Sequence, residues 1–150
     1  SLEGRPRRMP PQFDSLQDYC DRHFDAGKAH VVLSEDLTQV PYREYLVPFE
    51  LDRLVSISLS MRPLVNGSPG TAGVEIVSAD CEVLAQTHLP LTSIDAERIT
   101  EFLLSVPLSG LKKNWLLRVF VRDAIAPVPI YELARGLRRS TRFFPLVLFR

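Results

Sequence analysis

Arg53-Leu54-Val55-Ser56-Ile57-Ser58-Leu59-Ser60-Met61-Arg62 is the stretch on which the fold turns. Val55, Ile57, Leu59 and Met61 alternate with Ser56, Ser58 and Ser60, and a period of two belongs to a pleated strand. The alternation predicts one buried aliphatic face and one wet serine face, the usual arrangement in an antiparallel sheet.

Downstream, Asn66-Gly67-Ser68-Pro69-Gly70 breaks the chain, because glycine and proline punctuate regular structure. Gly73 to Ser78 and Glu82 to Thr87 then read as a hairpin across Ala79-Asp80-Cys81. Further strands are predicted at Ile99 to Pro107, Trp115 to Asp123, Pro127 to Ala134 and Thr141 to Phe149. Upstream, Ala29 to Ser34 and Glu44 to Glu50 complete a set of about eight or nine strands. No amphipathic helices separate these strands, and parallel crossovers would need them. The expected fold is therefore all-β, an antiparallel β-sandwich of jelly-roll-like character. The twelve prolines suit strand ends and sheet edges.

Before residue 28 the period is helical. Asp14 or Ser15 can cap a short helix whose apolar stripe is Leu16, Tyr19, Cys20, His23 and Phe24, with Gly27 as its stop. About three turns cannot stand alone, so the helix should dock on the body. Residues 1–12 are basic and proline-rich, as in Arg5-Pro6-Arg7-Arg8-Met9-Pro10-Pro11, and read as a disordered lead-in. The expected organisation is that segment followed by a single domain over residues 13–150. A chain of 150 residues can bury a full core without a metal or a disulfide.

Charge narrows the partners. Eighteen basic side chains balance eighteen acidic ones, whereas a nucleic-acid binder carries a clear positive excess. Arginines cluster at both ends, as Arg5, Arg7 and Arg8, then Arg135, Arg138, Arg139 and Arg142. They read as solvated segments, the alternative being contact with a partner domain or an anionic membrane surface. Cys20 and Cys81 form neither a disulfide framework nor a zinc pattern, which favours a reducing, cytoplasmic setting. The run Phe143 to Phe149 is too short to span a bilayer, and no signal peptide is recognisable.

Catalytic motifs are missing. The chain contains no Gly-x-Ser-x-Gly elbow and no phosphate-binding glycine loop. His23 falls on the helix stripe, and His30 and His88 fall near predicted strand ends. Cys20 and His23 offer only half a metal site. Asp80 and Glu82 flank Cys81 in a turn that reads as a plain hairpin. The expectation is a domain with no cofactor, no metal and no catalytic activity of its own. A small enzyme whose site assembles only in the fold is the rival.

What remains is surface. Trp115, Tyr42, Tyr45 and Tyr131 are candidate platforms, and Gln39, Glu44, Arg118, Arg122, Asp123 and Glu132 are polar groups in the same segments; a ligand site would combine Tyr42, Tyr45 or Tyr131 with Glu44, Arg118 or Arg122. Sugar recognition needs an aromatic face and planar polar side chains, which these residues could supply. Trp115 shares a strand face with Leu117, Val119 and Val121 and reads as core, leaving Arg118 and Arg122 pointing the other way. Docking or self-association is the other reading, for which a flat exposed row of Ser56, Ser58 and Ser60 would serve.

Residues 39–133 resemble the β-sandwich modules fused to bacterial sugar-transferring enzymes, especially glycosyltransferases of surface polysaccharides. Leu54-Val55-Ser56-Ile57-Ser58-Leu59, Gly73-Val74-Glu75-Ile76-Val77, Asp80-Cys81-Glu82-Val83-Leu84-Ala85 and Trp115-Leu116-Leu117-Arg118-Val119-Phe120-Val121 carry the resemblance. Cys81 stands where the hairpin of such modules has glycine. The resemblance implies an accessory domain beside a catalytic one, in the same or a partner protein, either docking there, self-associating as a homo-oligomer or touching a glycan. It supplies no catalytic residue. The expected location is cytoplasmic, with a position near the inner membrane surface as the finer alternative.

Overall fold

The computed structural model describes Cys20, residues 29–136 and residues 141–150. Among the described residues ten strands run in chain order: β1 (His30–Leu33), β2 (Arg43–Leu46), β3 (Leu54–Leu59), β4 (Thr71–Val77), β5 (Val83–Pro90), β6 (Thr100–Leu108), β7 (Leu116–Arg122), β8 (Tyr131–Arg135), β9 (Arg142–Pro145) and β10 (Val147–Phe149). Single 3-10 turns lie at Leu37–Gln39 and Leu91–Ser93. Every strand pair is antiparallel. One sheet has four strands in the order β2-β7-β4-β5; two others have three, β1-β8-β9 and β10-β3-β6. The protein is all-β and sandwich-like.

The two smaller sheets are stitched together. β9 and β10 are successive parts of one run interrupted at Leu146, so the chain leaves β8 and joins β3. Beyond β3, the amides of Arg62 and Leu64 donate to the carbonyls of Pro129 and Pro127, and Tyr131 donates to Ser60. Pro127 and Pro129 have no amide to offer, which is why the strand expected from Pro127 becomes a regular ladder only at Tyr131. The strand expected over Glu44 to Glu50 likewise stops at Leu46. There Val47 turns to Trp115 and Asn114 through backbone bonds, and Pro48 cannot continue the ladder.

Period two sets the interior. Ala72, Val74 and Ile76 of β4 lie directly opposite Val121, Val119 and Leu117 of β7, and all six are buried. Ile57 and Leu59 of β3 are flanked on the same face by Phe149 and Val147 of β10, with Phe102 of β6 opposite Ile57. Phe49 closes one end, edge-on to Phe149 at 5.9 Å.

The serine face of β3 departs from expectation. Ser56, Ser58 and Ser60 are not wet; they are 1%, 6% and 0% exposed, so this strand is covered on both faces. The side chains stay small enough for close cover, and the hydroxyls of Ser56 and Ser60 have no hydrogen-bond partner among the described residues. Alternation reports two faces of different polarity, not which is covered. A flat contact surface built on this row is therefore excluded.

Of the expected N-terminal helix only Cys20 is described; it is helical and fully buried, and its thiol donates to the Val147 carbonyl at 3.5 Å. Residues 1–12 and the rest of that helix, including His23, lie outside the described residues, as do Arg138 and Arg139. Among the described residues no helix is long and apolar enough to cross a membrane.

Candidate binding surfaces

Strand alternation turns the even-numbered residues of β2 and β7 and the odd-numbered residues of β4 to the outer face of the four-stranded sheet. Glu44, Arg118, Glu75 and Gln86 stand directly opposite one another across β2, β7, β4 and β5. The row is bonded end to end. Arg118 Nε donates to Glu44 Oε2 at 2.7 Å, its Nη1 lies 3.8 Å from Glu75 Oε1, and Gln86 Nε2 donates to Glu75 Oε2 at 2.6 Å. The hydrogen bond to Glu44 holds the Arg118 guanidinium more firmly protonated than usual.

Guanidiniums also cap the two rings beside this row. Arg118 stacks on Tyr42 at 4.3 Å, and Arg122 on Phe120 at 4.4 Å, while Arg122 Nη1 donates to the Pro41 carbonyl. The Phe120 ring reaches across Gly73, its cross-strand partner, where an added Cβ would collide with the far end of the ring. Four of the six residues singled out from sequence, Tyr42, Glu44, Arg118 and Arg122, thus meet on one exposed face.

The other two do not. Tyr45 and Tyr131 are 4% and 3% exposed. Tyr45 sits between Glu44 and Leu46 in β2, so alternation turns it inward opposite Leu117. Its hydroxyl donates to Glu132 Oε1 at 2.6 Å, and burial together with that carboxylate pushes the hydroxyl well above the ordinary tyrosine range. Tyr131 accepts from Arg62 Nη1 at 3.3 Å. Neither ring can serve as a sugar platform.

Tyr45 belongs instead to a network between the sheets that sequence reasoning did not find. Glu132, 1% exposed on β8, receives Arg43 Nε and Nη2 on its two oxygens, each at 2.9 Å. Arg43 Nη1 reaches Glu35 Oε2 at 2.9 Å, and the guanidinium lies 5.0 Å from the Phe143 ring. Burial opposes the charge on Arg43, but the bonds and field of Glu132 hold it firmly protonated. Fork-to-fork pairing satisfies both carboxylate oxygens, which is what makes a buried glutamate tolerable.

The expected turn at Asp80-Cys81-Glu82 is a hairpin tip. Ser78 Oγ accepts from the amides of Asp80 and Glu82, and Cys81 takes a left-handed φ of 65°. His30 and His88 are exposed, and Trp115 is partly buried against the core just ahead of β7. Among the described residues no three histidine, cysteine or acidic side chains come together in a metal-binding group.

A second surface was not legible in the sequence as a unit. Leu46, Val47 and Pro48 after β2, Lys113 and Asn114 before β7, Arg135 at the end of β8, and Arg142 and Phe144 of β9 line a cleft of about 200 Å³. Arg135 and Arg142 are direct cross-strand partners, and each guanidinium lies 5.4 Å from the Phe144 ring. Both arginines were visible as part of a basic terminal run, but nothing in the sequence ties them to Lys113.

No protein-family model matches the chain, and no curated protein or solved structure matches it.

Proposed function

We propose that this domain is a non-catalytic accessory module that acts by self-association through the outer face of its four-stranded sheet. The observation that carries the reading is the bonded row of alternating charge, Glu44–Arg118–Glu75, flanked by guanidinium-capped rings. In a two-fold contact whose axis passes between Arg118 and Glu75, Arg118 of each copy faces Glu75 of the other, so this part of the row is complementary to a second copy of itself. Tyrosine and arginine are also the residues enriched at protein contacts. A sugar would need a bare ring to stack on, and here Arg118 covers Tyr42 and Arg122 covers Phe120. The resemblance of residues 39–133 to sandwich modules beside glycosyltransferases supports an accessory role next to a catalytic partner domain.

Sedimentation velocity across a concentration series, with a glycan array on the same preparation, tests the proposal. The expected result is a concentration-dependent dimer that binds no sugar. Arg118→Glu should weaken the dimer about tenfold, and adding Glu75→Arg should restore it. A chain that stays monomeric throughout, or a monomer that binds one glycan specifically, overturns it.

A further inference from the structure

The outer face of the four-stranded sheet continues past its charged row toward the end where β2 and β4 finish and β7 and β5 begin. The next outward row there is apolar: Leu46, Leu116, Val77 and Val83 stand directly opposite one another across β2, β7, β4 and β5. Leu46 and Val83, at its two ends, are 55% and 49% exposed, so each edge of the sheet leaves an aliphatic side chain open to solvent. Beyond that row the two halves of the sheet end in opposite charge. The β4–β5 turn carries Asp80 and Glu82, whereas the lead-in to β7, bonded to the end of β2 through Asn114 and Trp115, carries Lys112 and Lys113. All four charged side chains are exposed.

We propose, resting on the self-association above, that the two copies are related by a two-fold axis parallel to the strands between β7 and β4, so that each β4–β5 turn clasps the β2–β7 end of the other copy. Such an axis keeps height along the strands and sets β7 on β4 and β2 on β5. Arg118 then faces Glu75 of the second copy, and Glu44 faces Gln86. In the next row Leu46 faces Val83, which buries at both edges of the contact the aliphatic side chains that one copy leaves open. At the end of the sheet Asp80 and Glu82 face Lys112 and Lys113, once on each side of the axis. An axis across the strands would instead carry the acidic turn to the far end of the sheet, away from the lysines. Stacked sheets keep their strands within about 30° of each other, a condition the parallel axis meets.

The test uses the full chain, with dimerisation read by sedimentation velocity. One variant carries Asp80→Lys with Glu82→Lys, and a second carries Lys112→Glu with Lys113→Glu. Each alone sets like charges face to face on both sides of the axis, and its dimer should be about tenfold weaker. Mixed together, the two should pair with each other as tightly as the unaltered chain pairs with itself, because both contacts are again of opposite sign. The four positions are exposed, so circular dichroism should not change. In a second arm, Leu46→Cys and Val83→Cys chains, both with Cys81→Ser, are mixed with a bismaleimide reaching about 10 Å, the distance between stacked sheets. The mixture should give a covalent dimer and neither chain alone should; Cys20 is fully buried and stays unreacted. A dimer indifferent to the charge reversals, reversed chains that do not recover on mixing, or no cross-link in the mixture would overturn this axis while self-association stands. A chain that stays monomeric at every concentration overturns both.

Discussion

Removing the cation from the buried network is the most direct measure of what joins the two layers. Arg43→Met keeps the length and the apolar stem of the side chain but deletes the fork that fills both oxygens of Glu132. Glu132 is 1% exposed, so water cannot replace the lost donors without opening the structure. Leaving such a carboxylate uncompensated costs about 3–5 kcal/mol, a large share of a typical total of about 5–15 kcal/mol. Tyr45→Phe deletes one bond to a charged acceptor and should cost about 1.5–3 kcal/mol. The double variant Arg43→Met, Glu132→Leu removes the charge together with its partner and should be less destabilised than Arg43→Met alone. Urea unfolding followed by circular dichroism gives each value by linear extrapolation. A loss below about 1 kcal/mol for Arg43→Met, or additive effects of the Arg43 and Glu132 substitutions, would refute the network as described. The alkaline limb adds a second readout. Tyr45 has its folded pKa raised by burial first and by Glu132 next, so the folded chain keeps a proton that the unfolded chain releases. Its contribution is fully present below the unfolded value near pH 10 and is lost as pH rises through the folded value. Tyr45→Phe should flatten that decline but not abolish it, because burial also raises Tyr131.

Asp36 supplies the acid-side counterpart. Burial would raise its pKa, but bonds from the Thr38 hydroxyl and from the amides of Thr38 and Val128 outweigh it and lower the value. Its contribution is present above the ordinary aspartate range and fades as pH falls through the folded value, so Asp36→Asn should flatten stability against pH below about pH 4 in urea melts. At the β4–β5 hairpin, Cys81→Gly relieves a left-handed residue costing about 1–2 kcal/mol while adding about 0.5–1 kcal/mol of chain entropy. The net should be a slightly higher melting temperature by scanning calorimetry, and a lower one would show that the Cys81 side chain stabilises the tip.

Local period was enough to read the strands and their antiparallel order. Residues 73–78 and 82–87 pair as expected because a short turn brings them side by side, and β4 and β5 extend that pairing to Thr71 and Pro90. The outward direction of Arg118 and Arg122 was legible for the same reason, since side chains alternate along a strand whatever covers it. What covers a face is a different kind of question. Ser56, Ser58 and Ser60 are polar and regularly spaced, yet they are buried, because burial depends on the layer that lies over β3 and not on the pattern within it. The partnership of Arg43 and Tyr45 with Glu132 spans nearly ninety residues, and no spacing rule connects them. Nor does one connect Lys113 to Arg142. The sequence by itself determined period, turns and the all-β class, because these arise from neighbours in the chain. Only the tertiary structure decided which tyrosine is a surface residue, which carboxylate is buried and which cations share a cleft. Those depend on how distant strands are laid side by side, and that placement is settled by the packing of the whole core.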